Sequence, residues 1–423
     1  MLPELKAQFM LFLGDFIYVD VPERFGKSTE EYRMQYRQIY ASPDWATVGQ
    51  NLSWIHVLDD HEISNDWSSN TTGVYKAAVE PWHLYHAQVN PPAVKRDGSD
   101  ATVQLKPTWF EFVQGPASFF MLDTRSYRSS NDQPFNDSAK TMLGKEQLDD
   151  FLAWLARPEP PGVKWKFVAS SVPFTKNWPV NVKDTWGGFL VERKEILESM
   201  WAAGSQGTTV VILSGDRHEF AATKFPPPPD SKWPEASSAY EFSTSPLNQF
   251  ASPYPTYKQQ DDEDVMLRYI PAGTSKFGAF TIQNIAGKST LDYRLFIDGQ
   301  ETWSTRIFEA PAPEKPTILS TKLSSSKRPD PSWPEAPQRT KPRKPSSTQR
   351  SRPRPDDTLG AEEEGFGKGR VKDVLLATNK VDGEPSVSTA EVLRRERNLR
   401  TWQSEASSNV QCRAGGADQG HRG

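Results

Sequence analysis

One cysteine, Cys412, stands in 423 residues, so no disulfide can close within the chain. A disulfide-braced scaffold is thereby excluded, and the count fits a reducing compartment without excluding export. Long apolar runs are missing as well. Nowhere do about 18 apolar residues follow one another, so no transmembrane helix is encoded. The opening residues, Met1-Leu2-Pro3-Glu4-Leu5-Lys6, lack the basic region, apolar stretch and small-residue cleavage site of a signal peptide, and none is expected. Neither sign of charge dominates: the formal net charge is −4. That gives no electrostatic case for specific nucleic-acid binding or for an anionic membrane surface.

Proline is plentiful, at 35 residues, but a large share lies beyond position 310. There Pro, Ser, Lys and Arg dominate, with Lys341, Arg343, Lys344, Arg350, Arg352 and Arg354 set between prolines. Such a segment buries too little apolar surface to offset its ordering entropy. The chain therefore divides into a folded domain over 1–308 and a disordered Pro/Ser/basic-rich tail over 309–423. Without interleaved aromatics the tail reads as solvated, not as a strand-binding groove. A short charged helix is expected near 390–402. Gly365-Phe366-Gly367-Lys368-Gly369 has neither a preceding strand nor a Gly-Lys-Ser/Thr ending, and is no phosphate loop.

Within 1–308 the pattern is mixed α/β. Apolar runs at 9–13, 54–58, 165–169 and 209–213 read as buried strands, and further strands are expected at 241–246, 278–282 and 293–297. Residues 109–113 and 117–122 read as an antiparallel pair turning at Gln114-Gly115-Pro116. Amphipathic spacing predicts helices over 29–40, 143–155 and 187–202, and the first turns of another at 81–86.

Three of these strands end in metal-binding chemistry. The first delivers Asp15 and Tyr18, the second Asp60 and His61 within Asp59-Asp60-His61-Glu62, and the fourth Asp216 and His218. Five of the six histidines lie between His56 and His218. An isolated Asp after a strand is usually a turn residue or a cap. Three such tips in one α/β chain point instead to a shared site, because ligands bind at the carboxyl ends of strands. Carboxylate and imidazole donors suit first-row divalent and trivalent metals, and no thiolate is near. Two ions roughly 3.5–4 Å apart can grip phosphoryl oxygens, acidify a water and stabilise a leaving oxygen. Asp15 could bridge such ions, and His61 could protonate the leaving group.

Gly14-Asp15-Phe16-Ile17-Tyr18, Asp59-Asp60-His61-Glu62 and Ser214-Gly215-Asp216-Arg217-His218 resemble, in this order, the PhoD-like (alkaline phosphatase D type) metallophosphatases. These are distant relatives of the purple acid phosphatases and the calcineurin-like superfamily. Leu122-Asp123-Thr124-Arg125 and Phe242-Ser243-Thr244-Ser245-Pro246 add to the likeness, which covers roughly residues 5–300. The resemblance implies a four-layer α/β/β/α sandwich and a di- or trinuclear centre, with ferric iron and calcium or other divalent metals. It implies Asp15 as the bridging ligand, Tyr18 as a phenolate on iron, and Asp60, Asp216 and His218 as further ligands. His61 takes the place of the catalytic histidine. Asp59, Glu62 and Asn65 are expected to support the site. Arg125 is either a phosphate contact or a surface ion pair. His83 and His86, at i and i+3, either face a metal or substrate phosphate or are partly buried polar residues on an aromatic-rich lid. His56, inside a strand, reads as a core histidine or one supporting the site.

The chain also departs from the family pattern. Only residues 1–14 precede Asp15, without cysteine and with Glu4 as the one acid, whereas the family carries further ligands on an earlier strand. A sandwich lacking its first strand, and a centre short of ligands, are expected. The function implied is hydrolysis of phosphomonoesters or phosphodiesters. The alternative is a catalytically deficient or truncated homologue acting as a binding or scaffold protein. No feature specifies an oligomer.

Overall fold

A computed structural model describes residues 5–20, 26–45, 52–88, 90, 107–247 and 254–311, and the strand Val374–Ala377. Two sheets are packed face to face. The first runs β12-β11-β10-β13-β1-β2, built from β1 (Phe9–Phe12), β2 (Ser53–His56), β10 (Lys276–Ile285), β11 (Lys288–Ile297), β12 (Gln300–Phe308) and β13 (Val374–Ala377). The second runs β3-β4-β5-β6-β8-β7-β9, built from β3 (Phe110–Gln114), β4 (Ala117–Met121), β5 (Trp165–Ala169), β6 (Thr209–Ser214), β7 (Phe220–Phe225), β8 (Ala239–Thr244) and β9 (Val265–Ile270). In the second sheet β4, β5, β6 and β8 are parallel, and β3, β7 and β9 run against their neighbours.

The period of two along each strand sorts side chains between layers. Phe9, Leu11 and Leu13 point into the space between the sheets, where they meet Phe119, Phe167, Val211, Phe242 and Tyr293. Met10 and Phe12 point the other way, into a cluster with Tyr32, Tyr36, Ile39, Val79 and Trp82. Those residues belong to α1 (Thr29–Tyr40) and α2 (Tyr75–Trp82). On the far side, Phe120, Val168, Val210 and Ile212 pack on Phe151, Trp154, Ile196 and Met200 of α3 (Gly144–Ala156) and α4 (Leu190–Ser205). The four layers are therefore α/β/β/α, and strands buried on both faces read in sequence as unbroken apolar runs.

Helix α1 starts where its sequence dictates. Ser28 accepts from the Glu31 amide while the Glu31 carboxylate takes the Ser28 amide at 2.7 Å, a reciprocal capping box. Helix α2 carries Pro81 in its last turn and widens into a π-turn over His83–Ala87. The expected strands are present, as are the helices expected over 29–40, 143–155 and 187–202; the helix expected to start near 81 instead starts at Tyr75, and 81–86 forms its end and the π-turn. Beyond them, β7, β9 and β12 extend the sheets, and β13 arises from four residues inside the stretch expected to be disordered. The basic cluster, the charged helix near 390–402 and Cys412 lie outside the described residues.

Candidate metal centre

The site forms where β1, β2 and β6 end. Past Phe12 the chain turns through Gly14, at φ +98°, and Asp15, at φ 57°. Past β6 it turns through Asp216 and His218, at φ 69° and 57°. Left-handed backbone costs a residue other than glycine about 1–2 kcal/mol, so three strained residues at two strand tips need surroundings that hold them there. Gly14 is required for a second reason: a Cβ there would overlap the Cβ of Asp59 on the neighbouring tip.

Glu62 ties the first two tips together. Fully buried, it accepts the amides of Asp59 (2.8 Å) and Asp15 (3.1 Å) on Oε2 and that of Phe16 on Oε1. Tyr18 folds back so that its hydroxyl lies 3.2 Å from Asp15 Oδ2 and 3.4 Å from His218 Nε2. Asp60 is oriented by the amides of His61 (2.9 Å) and Asp66 (2.6 Å). Ligand atoms of Asp15, Asp60 and His61 lie within 4.8 Å of one another, as do those of Asp59, Asp60 and Asp216, and those of Asp60, Asp66 and Asp184. The five residues expected as ligands thus come together, and His61, expected as the catalytic histidine, stands beside Asp15 and Asp60.

Two site residues had escaped the sequence. Asp20 accepts from His61 Nδ1 at 2.7 Å and from the Asn65 amide at 2.5 Å, so Asn65 serves through its backbone while its side chain is exposed. Asp184 binds the buried guanidinia of Arg125 and Arg128, each at 2.7 Å. Asp20 was open to discovery as a carboxylate two residues past Tyr18. Asp184 lies in a short 3-10 turn with no strand before it, and nothing in its local sequence marks it.

Arg125 is neither at the surface nor open to solvent. Its Nε donates to Asp59 at 2.6 Å, and its Nη2 stands 3.7 Å from Asp60 and 3.8 Å from Asp216. His86 also departs from the centre. It is sealed in the aromatic cluster, stacked on His56 with ring centroids 3.7 Å apart and edge-on to Phe16 at 4.6 Å. His83 stays half-buried beside Trp82.

The electrostatics are those of an acid cluster awaiting positive charge. Desolvation, then Asp59 and Asp60, push the Asp15 carboxyl well above the ordinary range. Desolvation raises Asp59 to about 7, Glu62 to about 7 and Asp216 to about 6, with neighbouring carboxylates adding to it. Burial followed by Asp15 lifts the Tyr18 phenol, and burial depresses His218 to about 4. His61 goes the other way. Burial opposes its charge, but Asp60 and the hydrogen bond to Asp20 outweigh burial and hold it at about 9.

A cation fits this donor set. Buried Asp15 Oδ1, Asp59 Oδ2 and Asp216 Oδ2 have no hydrogen-bond partner among the described residues. Buried carboxylate oxygens in that state are costly unless protonated or bound to a cation. The donors are oxygens and imidazole nitrogen, which suits hard and borderline ions.

The family model described as PhoD-like phosphatase matches residues 1–293. Among solved structures, that of PhoD superposes with a TM-score of 0.50 at 17% identity, over 72% of this chain and 64% of that one. The chain thus spans a little under two thirds of the PhoD structure it matches. A purple acid phosphatase from yellow lupin (Lupinus luteus) seeds superposes with a TM-score of 0.44 at 14% identity, over 71% of this chain and 46% of that one. No curated protein matches. At these identities the PhoD superposition speaks for the fold, and the family model for membership. The chain belongs to the PhoD-like phosphatase family.

Proposed function

We propose that the chain hydrolyses phosphate esters, monoesters or diesters, at the strand-tip centre. The observation that carries this reading is the placement of the Tyr18 hydroxyl 3.2 Å from Asp15 Oδ2 and 3.4 Å from His218 Nε2, beside the Asp15, Asp60 and His61 group. Asp15, Tyr18, Asp60, Asp216 and His218 would hold the metal. A phenol among the donors favours ferric iron at one position, and the carboxylates favour calcium or another divalent ion beside it. Such ions supply Lewis acidity toward a phosphoryl oxygen and toward water.

The chain's own residues supply the rest. His61 keeps Nδ1 engaged by Asp20, which fixes the ring and favours its protonated form. Nε2 is left to give a proton to the departing ester oxygen, with the side chain still 12% exposed to the entering substrate. Glu62 keeps Asp15 and Asp59 at a fixed separation, and Asp20 does the same for His61. Arg125 acts from beneath, binding Asp59 and Asp184 and so fixing the carboxylates without reaching the substrate.

The reading is tested by supplying purified protein with iron and calcium, then assaying p-nitrophenyl phosphate and bis(p-nitrophenyl) phosphate. Turnover of either, lost in His61→Ala and in Asp60→Asn while each variant keeps the parent circular dichroism spectrum, is the expected result. No turnover of either ester by metal-loaded protein defeats the proposal.

A further inference from the structure

The first sheet has a strand from an unexpected place. Between β1 and β10 lies β13, drawn from near the other end of the sequence. It runs parallel to β1, with Phe9, Met10, Leu11 and Phe12 opposite Val374, Leu375, Leu376 and Ala377. It runs antiparallel to β10, with Phe277, Gly278, Ala279 and Phe280 opposite Ala377, Leu376, Leu375 and Val374. Both walls of this slot are interior strands: Phe9, Met10, Leu11, Phe12, Phe277, Ala279 and Phe280 are all buried.

Backbone chemistry makes the slot demanding. The flank of β1 away from β2, and the facing flank of β10, each present amides and carbonyls inside the sandwich, where water cannot serve them. With one strand between them, β1 and β10 stand two strand spacings apart, about 9–10 Å, too far to pair with each other. Only an extended segment with an amide at every position fits. The stretch Val371-Lys372-Asp373-Val374-Leu375-Leu376-Ala377-Thr378-Asn379-Lys380 contains no proline, and Val374 to Ala377 is the longest apolar run after Pro313. In a segment dominated by proline and charge, that run alone has the composition of a buried strand.

The position matters for the centre. Because β13 is parallel to β1, its carboxyl end lies beside Phe12, at the edge where Gly14 and Asp15 turn into the site. On its other flank β1 is held by β2, which leads to Asp59 and Asp60. The strand that presents Asp15 is therefore braced from both sides only when the slot is filled.

We propose that the slot between β1 and β10 is a strand-acceptor site whose occupant is this chain's own Val374–Ala377 segment, making part of the C-terminal region an integral strand of the domain. The inference rests on sheet topology and holds whatever ester is cleaved.

Hydrogen exchange on the full chain tests it. Amides of 374–377 are expected to exchange at least about a hundredfold more slowly than in a free peptide, alongside those of Phe9–Phe12. In Leu375→Pro/Leu376→Pro, which removes two donors from the segment, protection is expected to fall at 9–12 and 277–280 while β5 and β6 stay protected. Should that variant fail to fold, a covalent probe decides. Met10→Cys and Leu375→Cys, placed opposite each other in a Cys412→Ser background, are expected to form a disulfide within a monomer on oxidation. Free exchange at 374–377, or a disulfide formed only between two chains, overturns the proposal.

Discussion

Arg125 and Asp59 form an ion pair sealed from water, with Nε and Oδ1 2.6 Å apart and both side chains essentially without exposure. The same guanidinium donates to Asp184 at 2.7 Å and stands within 3.8 Å of Asp60 and Asp216. It is a fixed cation within one of the acid groups that could bind metal, which explains how so many carboxylates tolerate each other before any ion arrives. Removing one partner of a buried ion network typically costs about 3–5 kcal/mol, because the other charges are left uncompensated.

Arg125→Met, which keeps the bulk and deletes the charge, is accordingly expected to lose about 3–5 kcal/mol in chelator. Divalent cation should return part of that loss, since it substitutes for the missing charge. Urea denaturation of parent and variant, each with chelator and with calcium, makes the comparison. A variant as stable as the parent in chelator would remove Arg125 from this role.

Glu62 is a carboxylate whose two oxygens receive three backbone amides, from Asp15, Phe16 and Asp59. Glu62→Gln leaves one acceptor oxygen and turns an NH2 group toward an amide that also needs an acceptor. Losing a buried acceptor costs about 1–3 kcal/mol, and the two tips lose their common anchor. A lower melting temperature together with weaker calcium binding by calorimetry is the expected pair of outcomes. Unchanged metal affinity would show that Glu62 does not set the distance between Asp15 and Asp59.

Gly14 and Gly162 separate steric need from backbone need. Both have positive φ, +98° and +95°, but a Cβ at Gly14 meets Asp59 whereas one at Gly162 meets nothing within 4 Å. Gly162→Ala should cost about 1 kcal/mol, from the left-handed backbone alone. Gly14→Ala should add about 1–3 kcal/mol of overpacking and disturb metal binding as well. Equal losses in the two variants, read from denaturation midpoints, would count against a tight approach of the β1 and β2 tips.

What the sequence disclosed followed from periodicity. Runs such as 209–213 are apolar on both faces, so the strands and their acidic tips stood out, and the helical spacing of Tyr32, Tyr36 and Ile39 marked α1. The misses have physical causes too. β12 is an edge strand with exposed polar residues, and β7 begins Phe220-Ala221-Ala222, with little β-branched character. The i, i+3 spacing of His83 and His86 suggested one shared face. The π-turn has a wider repeat than an α-helix, so the two rings part: His86 goes inward against His56, and His83 stays near the surface. Asp20 and Asp184 act from turns, where a carboxylate carries no periodic signature. β13 was hidden because four apolar residues in a polar stretch say nothing about which strands they will lie between.

Away from the centre, Glu192 gives stability its own pH dependence. It lies in the first turn of α4, where its Oε1 accepts the amides of Met142 (3.2 Å) and Leu143 (3.1 Å) ahead of α3. Desolvation is the dominant influence and lifts its carboxyl from 4.5 to about 7, the hydrogen bonds opposing it only in part. Between those values the folded chain holds a proton that the unfolded chain has released. The stability this confers is therefore complete below about pH 4.5 and lost as pH rises through about 7. Glu192→Gln does not titrate and still offers an acceptor oxygen to the two amides. The stability of the parent relative to Glu192→Gln should fall by on the order of 3 kcal/mol from pH 4.5 to pH 8. Paired urea melts across that range give the difference directly, and a difference constant with pH, or one that grows in the parent's favour, refutes the assignment.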